Sequence, residues 1–343
     1  MNTLLGLIII AFGSLGQSSS YVPINKVKKW SWESFWLTQG IFAWLVFPLL
    51  GSLLTYPSIS GLFEIWGAGE AIKSILFGVL WGVGGLTFGL SMRYLGVALG
   101  QSISLGTCSA FGTLLPALFG GNDLLHGQGL ILLIGVCITL AGIAIIGFAG
   151  SLRAANMSEE EKRKAVKDFA LTKGLLVALL AGLMSACFNL GLNAGSAIQA
   201  KAIAMGAKDL FALNPVIFLV TFGGFLTNAV YCIFQNIKNN TFSDYKISDK
   251  SLLLNNVLFC GLAGILWYSQ FFALGIGQSF FADAPVMLLF SWSILMSLNV
   301  IFSNIWGMIL KEWKGCNSKT IATLIVGLVI LIFSTFFPSL IQS

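Results

Sequence analysis

Residues 129–150 read GLILLIGVCITLAGIAIIGFAG, a run with no charged side chain. A helix rises 1.5 Å per residue and the hydrocarbon of a bilayer is about 30 Å thick, so about 20 apolar residues cross it. The run is continuous, with no alternation of polar and apolar positions, which selects a membrane-spanning helix over a barrel strand. Outward from it, comparable runs recur at 3–22, 35–55, 71–91, 94–117, 174–197, 211–235, 253–275, 284–309 and 319–339. The sequence therefore predicts an all-α integral membrane protein with ten transmembrane helices.

Composition agrees. Of 343 residues 57% are hydrophobic and 9% charged, and the mean hydropathy is +0.89, whereas a soluble chain carries about 25% charged residues. Thirteen acids and nineteen bases are too few to cover a water-facing surface of this size. Soluble enzymes, nucleic-acid-binding proteins and secreted disulfide scaffolds are excluded. The net charge of +6 and the pI of about 9.0 reflect topology, because basic residues collect in cytoplasmic loops. Sixteen bases, Lys26, Lys28, Lys29, Arg93, Arg153 and Lys311 among them, fall in or beside odd-numbered connections, against Lys73, Lys201 and Lys208 at even-numbered ones. The odd loops are expected in the cytoplasm and both termini outside. The first run has no basic leader and is expected to be retained as a span. The six cysteines show no paired spacing of the metal-binding kind and read as small core hydrophobes.

The connection 151–173 is the longest and the only charge-rich one. In it Ser158 and Glu161 have capping-box spacing, and Glu160 and Lys164 that of a solvated pair one turn apart. It divides the chain into five-helix halves at 1–150 and 174–343. A weak echo links them: Trp81 leads to Gly100-Gln101-Ser102, and Trp267 to Gly277-Gln278-Ser279. Homologous halves with an odd number of spans must be inverted relative to each other, the usual architecture of alternating-access carriers.

Chemistry inside a membrane needs nucleophiles, bases or metals, and the spans hold almost none. HExxH, GxSxG and phosphate-loop patterns are absent, and the lone His126 is expected to be solvated. No enzyme activity and no cofactor is expected. The spans do hold uncharged polarity at helical spacing: Asn189 with Asn193, Trp267 with Gln270 and Phe271, Gln17 with Tyr21, and Asn299 with Ser303. Amides donate to and accept from a hydroxyl, and an aromatic face packs against the C–H side of a sugar ring. The set suits a neutral polyol. The alternative role for each amide is interhelical glue, contributing about 0.6 kcal/mol on average. Trp30, Trp32, Trp36, Trp66 and Trp313 lie at span ends and read as interface anchors; Trp81 and Trp267 lie deeper and stand as sugar contacts. Gly82, Gly84, Gly85 and Gly89, with Gly96, Gly100, Gly106 and Gly112, let helix backbones approach closely.

The run Lys26-Val27-Lys28-Lys29-Trp30-Ser31-Trp32-Glu33 closely resembles the bacterial L-rhamnose-proton symporter family, within the drug/metabolite transporter superfamily. Met92-Arg93-Tyr94-Leu95-Gly96, Leu266-Trp267-Tyr268-Ser269-Gln270-Phe271-Phe272 and Leu310-Lys311-Glu312-Trp313 agree in order along essentially the whole chain. The resemblance implies a five-plus-five inverted repeat around a central cavity in the inner membrane, cotransporting L-rhamnose or a related 6-deoxyhexose with a proton as coupling ion. Trp81, Asn189, Asn193, Trp267 and Gln270 are then the preferred sugar contacts, with Gln17 and Tyr21 beside them. Proton coupling needs an ionisable group near the apolar zone, for which Asp283, Glu33 and Arg93 are the candidates. Alternatives are an exporter or facilitator of amino acids or other small metabolites and, in another class, a non-transporting membrane sugar sensor.

Overall fold

The computed structural model describes residues 3–67, 69–95, 97–155, 171–246 and 248–342, with the side chains of Arg93, Val97, Ala98, Leu99, Leu171 and Gln342 outside that description. The expected capping box at Ser158 and Glu161, and the Glu160 and Lys164 pair, lie outside the described residues. The principal helices are α1 Thr3–Ser19, α2 Trp32–Gly40, α3 Phe47–Thr55, α4 Gly69–Leu95, α5 Val97–Phe119, α6 Gly127–Ala155, α7 Leu171–Ala194, α8 Asn214–Asn239, α9 Lys250–Ser279, α10 Pro285–Ile309 and α11 Ser318–Gln342. Among the described residues there is no strand. Ten stretches are long and apolar enough to cross a membrane, so all ten expected spans are present. The seventh and eighth run to Asp209–Asn239 and Lys250–Ser279, beyond the expected 211–235 and 253–275. The seventh opens on a 3-10 turn, Asp209–Phe211, before its α-helix begins at Asn214, and the eighth starts at the Asp249 cap.

The chain forms two compact units. Unit A consists of Asn2–Gly82 and Gly191–Phe280, and unit B of Val83–Leu190 and Phe281–Ser343, with Met1. The division falls inside α4, after Gly82, and inside α7, after Leu190. Lipid tails are as apolar as leucine, so helices here associate through close packing more than through the hydrophobic effect. In unit A, α1 lies along α9, with Gly13 against Ala273 and Gly277 against Ile10. In unit B, α6 lies along α11, with Gly142 against Leu331 and Gly327 against Ile146. A Cβ at any of these glycines would collide with its neighbour. Outward-facing Leu54, Phe119 and Val230 are at least 71% exposed, as lipid-facing side chains are.

The second span departs from the unbroken helix expected over 35–55. Between α2 and α3, residues Ile41–Val46 form a π-turn. Pro48 supplies the reason: it has no N–H, and its ring crowds the carbonyl four residues back, that of Trp44. The Phe47 N–H accordingly reaches back five residues, to Phe42 O. Such single-turn widenings are rare and recur at functional sites. This one delivers Trp44 to the interior of unit A, 5% exposed.

Candidate functional site

Trp44 is the hub of an indole cluster in unit A. Its ring centroid lies 5.5 Å from Trp36, 5.8 Å from Trp81 and 5.9 Å from Trp267, each edge to face, the arrangement ring quadrupoles favour. Trp81 and Trp267 are themselves 5.7 Å apart, and Phe271 sits 5.1 Å from Trp267. Two glycines make the space: Gly40 lies against the Trp44 ring and Gly224 of α8 against Trp81. The structure thus brings together two sugar contacts expected from sequence, Trp81 and Trp267. Trp36, read as an interface anchor, belongs to the cluster, with Nε1 donating to Asn228 Oδ1 at 3.0 Å. Trp44 is not singled out by sequence reading; its signal is Pro48, one turn on in the middle of a span.

The other expected contacts are dispersed. Gln270 is buried beside Trp267 and its Nε2 donates to Trp267 O at 3.2 Å. Gln17 is half-buried near the end of α1, its Oε1 accepting from the Ser18 hydroxyl at 3.3 Å. Tyr21 opens the short helix Tyr21–Ile24 and is 60% exposed. Asn193 is exposed near the end of α7, in unit A. Asn189, one turn earlier, belongs to unit B and is buried, with Nδ2 donating to Gly112 O of α5 at 2.7 Å. That bond is the interhelical-glue role weighed for it above.

Of the proton candidates, Glu33 has the most developed surroundings. It is the one charged side chain buried among the described residues. Its Oε1 accepts from Asn239 Nδ2 at 2.9 Å and from Thr241 Oγ1 at 2.8 Å. An amide at the end of α8 and a hydroxyl two residues past it therefore hold the carboxylate. The chain returns to Glu33 because Asn240 takes a left-handed conformation, φ 55°, which asparagine tolerates better than most residues and which commonly ends a helix. The following turn, Thr241–Lys246, grips the first loop. Asp244 Oδ2 accepts from the Ser31 N–H at 2.8 Å and the Ser31 hydroxyl at 2.7 Å, and Asp244 O accepts from Trp30 Nε1 at 2.8 Å. Burial works against the Asp244 charge, but the bonds from Ser31, together with Ser34, outweigh it and hold the carboxyl below its ordinary range. Asn256 clamps the same loop, accepting from the Lys28 N–H at 3.0 Å and donating to Lys28 O at 2.8 Å. The family-like stretch 26–33 is thus fixed from two directions.

Asp283 lies exposed in the turn before α10, and Ala284, not Asp283, occupies the N-cap position. The Arg93 side chain lies outside the described residues. His126 is exposed, as expected, with Nδ1 2.7 Å from Asp123 Oδ2. The Leu125 N–H and then His126 hold the Asp123 carboxyl below its ordinary value. Among the described residues no three histidine, cysteine, aspartate or glutamate side chains converge as a metal site.

Comparison with known proteins matches residues 1–340 to the family model described as L-rhamnose-proton symport protein (RhaT). The L-rhamnose-proton symporter of Yersinia pestis (strain Pestoides F) is 34% identical over 338 residues, covering 96% of each chain. The L-rhamnose-proton symporter of Yersinia pseudotuberculosis serotype O:1b (strain IP 31758) is similar to the same extent, 34% over 338 residues and 96% of each chain.

Proposed function

We propose that this chain, which belongs to the L-rhamnose-proton symport protein family, imports L-rhamnose or a related 6-deoxyhexose together with a proton across the bacterial cytoplasmic membrane by alternating access. The observation that carries the reading is the family match along essentially the full length of both this chain and its relatives. The chain is a carrier and not an enzyme. Placement in the drug/metabolite transporter superfamily, with inverted halves at 1–150 and 174–343 joined by 151–173, is supported by how unit B packs. There α6 lies on α11 and α5 on α10, pairing the fifth span with the tenth and the fourth with the ninth, which is compatible with a five-plus-five repeat. The excess of bases at odd-numbered loops supports a cytoplasmic location for them.

The sugar's C–H faces pack on the indoles of Trp81 and Trp267, and Gln270 bonds its hydroxyls. Asn193, Gln17 and Tyr21 lie outside the indole cluster and serve the entry path; Asn189 contributes chiefly as glue. Glu33 carries the proton. As a carboxylate it accepts twice at Oε1; protonation turns one oxygen into a donor and weakens that grip. The end of α8 is thereby released, and loading the proton biases the equilibrium between states. Asp283 and Arg93 then act as charges at span ends.

Uptake of labelled L-rhamnose into proteoliposomes tests this. An imposed gradient, acid outside, is expected to drive accumulation that a protonophore abolishes. In Glu33→Gln, saturable entry is expected to persist without accumulation. Gradient-independent equilibration by the unaltered protein would make it a facilitator, and absence of L-rhamnose uptake would overturn the reading.

A further inference from the structure

A buried polar atom without a partner is rare in any protein, and inside a membrane there is no solvent to replace the missing bond. Two such atoms lie in the second span: Trp44 Nε1, a donor, and Gln39 Oε1, an acceptor. Both residues are at most 5% exposed. The π-turn between them adds a third group. The Ala43 carbonyl receives no N–H from Phe47, which is committed to Phe42 O, and none from Pro48, which has none to give. One donor and two acceptors therefore stand within residues 39–44, and the donor, on Trp44, lies beside the aromatic rings of Trp36, Trp81 and Trp267. Broken transmembrane helices build carrier binding sites in this way, by turning backbone and side-chain groups away from the helix's own bonding.

The ligand that matches is a ring with apolar C–H faces and several hydroxyls, each able to donate and accept at once. We infer that the interrupted turn of the second span holds the hydroxyls of the transported sugar, with Trp44 Nε1 donating to one of them; this rests on the sugar-transport reading above. Trp44 is then a specificity-determining residue, and Pro48 a positioning residue acting through it. In the present conformation Trp44 Nε1 is shut off from solvent, so the sugar reaches it when the indoles part, as the opening of a carrier requires.

Equilibrium binding of labelled L-rhamnose to the purified full chain tests the assignment, with competition by L-rhamnose analogues that each lack one hydroxyl. Trp44→Phe keeps a ring and removes the donor; it is expected to weaken L-rhamnose binding about tenfold, equivalent to 1.4 kcal/mol. One analogue is expected to bind the unaltered protein about tenfold more weakly than L-rhamnose does, yet to bind Trp44→Phe as well as L-rhamnose does. A packing role would weaken every analogue alike and preserve the discrimination. Pro48→Ala returns an N–H to the turn and is expected to weaken binding without lowering the melting temperature. If Trp44→Phe fails to insert, Gln39→Leu carries the same competition test. Binding within twofold of the unaltered protein in these variants, or unchanged discrimination, overturns the inference while L-rhamnose transport stands. Absence of saturable L-rhamnose binding by the unaltered protein overturns the transport reading and the inference together.

Discussion

Trp292 in unit B and Trp44 in unit A are both buried, at 2% and 5% exposed, but their surroundings treat the indole N–H differently. Trp292 stacks on Phe188 at 5.9 Å, and its Nε1 donates to Cys108 O at 3.3 Å across the α5–α10 contact. Gly112, with no side chain, lets the ring in. In unit A the rings around Trp44 are as close, yet its N–H has no acceptor. Two regular helices meeting at a glycine satisfy an indole with a backbone carbonyl. A helix interrupted at Pro48 brings the indole to a cluster of rings that offers none. The first tryptophan is therefore a packing residue, and the second has a bond left to make.

The strongest test of that contrast is truncation. Trp292→Ala removes both the stack and the bond and is expected to destabilise unit B by about 3–5 kcal/mol. It would appear as a large loss of folded protein and a fall in melting temperature in detergent. A melting temperature near that of the unaltered protein would show that Trp292 is not the packing residue the contrast requires.

A finer cut makes the same chemical change at both sites. Trp292→Phe removes the bond to the Cys108 carbonyl, which keeps only its own helix bond within α5, and costs about 0.5–1.5 kcal/mol, whereas Trp44→Phe breaks no hydrogen bond and is expected to change stability by less. Thermal unfolding of the two variants side by side reads the difference directly. Equal losses would mean that the Trp44 N–H is already engaged, for instance with a ring face, and the contrast would fail.

The ten spans were legible because a helix in lipid must be apolar along its length, a requirement each span states by itself. Trp81 and Trp267 were legible for a related reason, since a tryptophan deep in a span has no interface to anchor. Trp44 lies as deep, but the sequence does not single it out, because its role depends on what Pro48 does to the backbone one turn away. Trp36 sits near a span end, and its link to the indole cluster depends on Asn228, far away in sequence, which accepts its N–H. The partners of Glu33 could not be read, because Asn239 and Thr241 reach it only after Asn240 reverses the chain. Nor does the sequence announce that the compact units divide inside α4 and α7, since hydropathy is continuous through both helices.

The smallest effect separates the two loops that carry the family-like motifs. In unit A, Trp30 is held by a hydrogen bond to a backbone carbonyl, 2.8 Å long. In unit B, Trp313 lies under the Arg153 guanidinium, 5.3 Å from the ring centroid, and Arg153 also reaches Glu312 at 3.5 Å. The Glu312 side chain is half exposed, so its ion pair is screened by salt, while the cation over the ring is screened less. Arg153→Ala is expected to lower stability by about 0.5–1 kcal/mol. Part of that difference is expected to disappear at 1 M salt, where the Debye length is about 3 Å. A double-mutant cycle with Trp313→Leu isolates the ring contribution, because the two side chains share one contact. A coupling energy of zero would mean that the cation contributes nothing and that Trp313 is held by its packing against the core around Ile146, Val300 and Leu324.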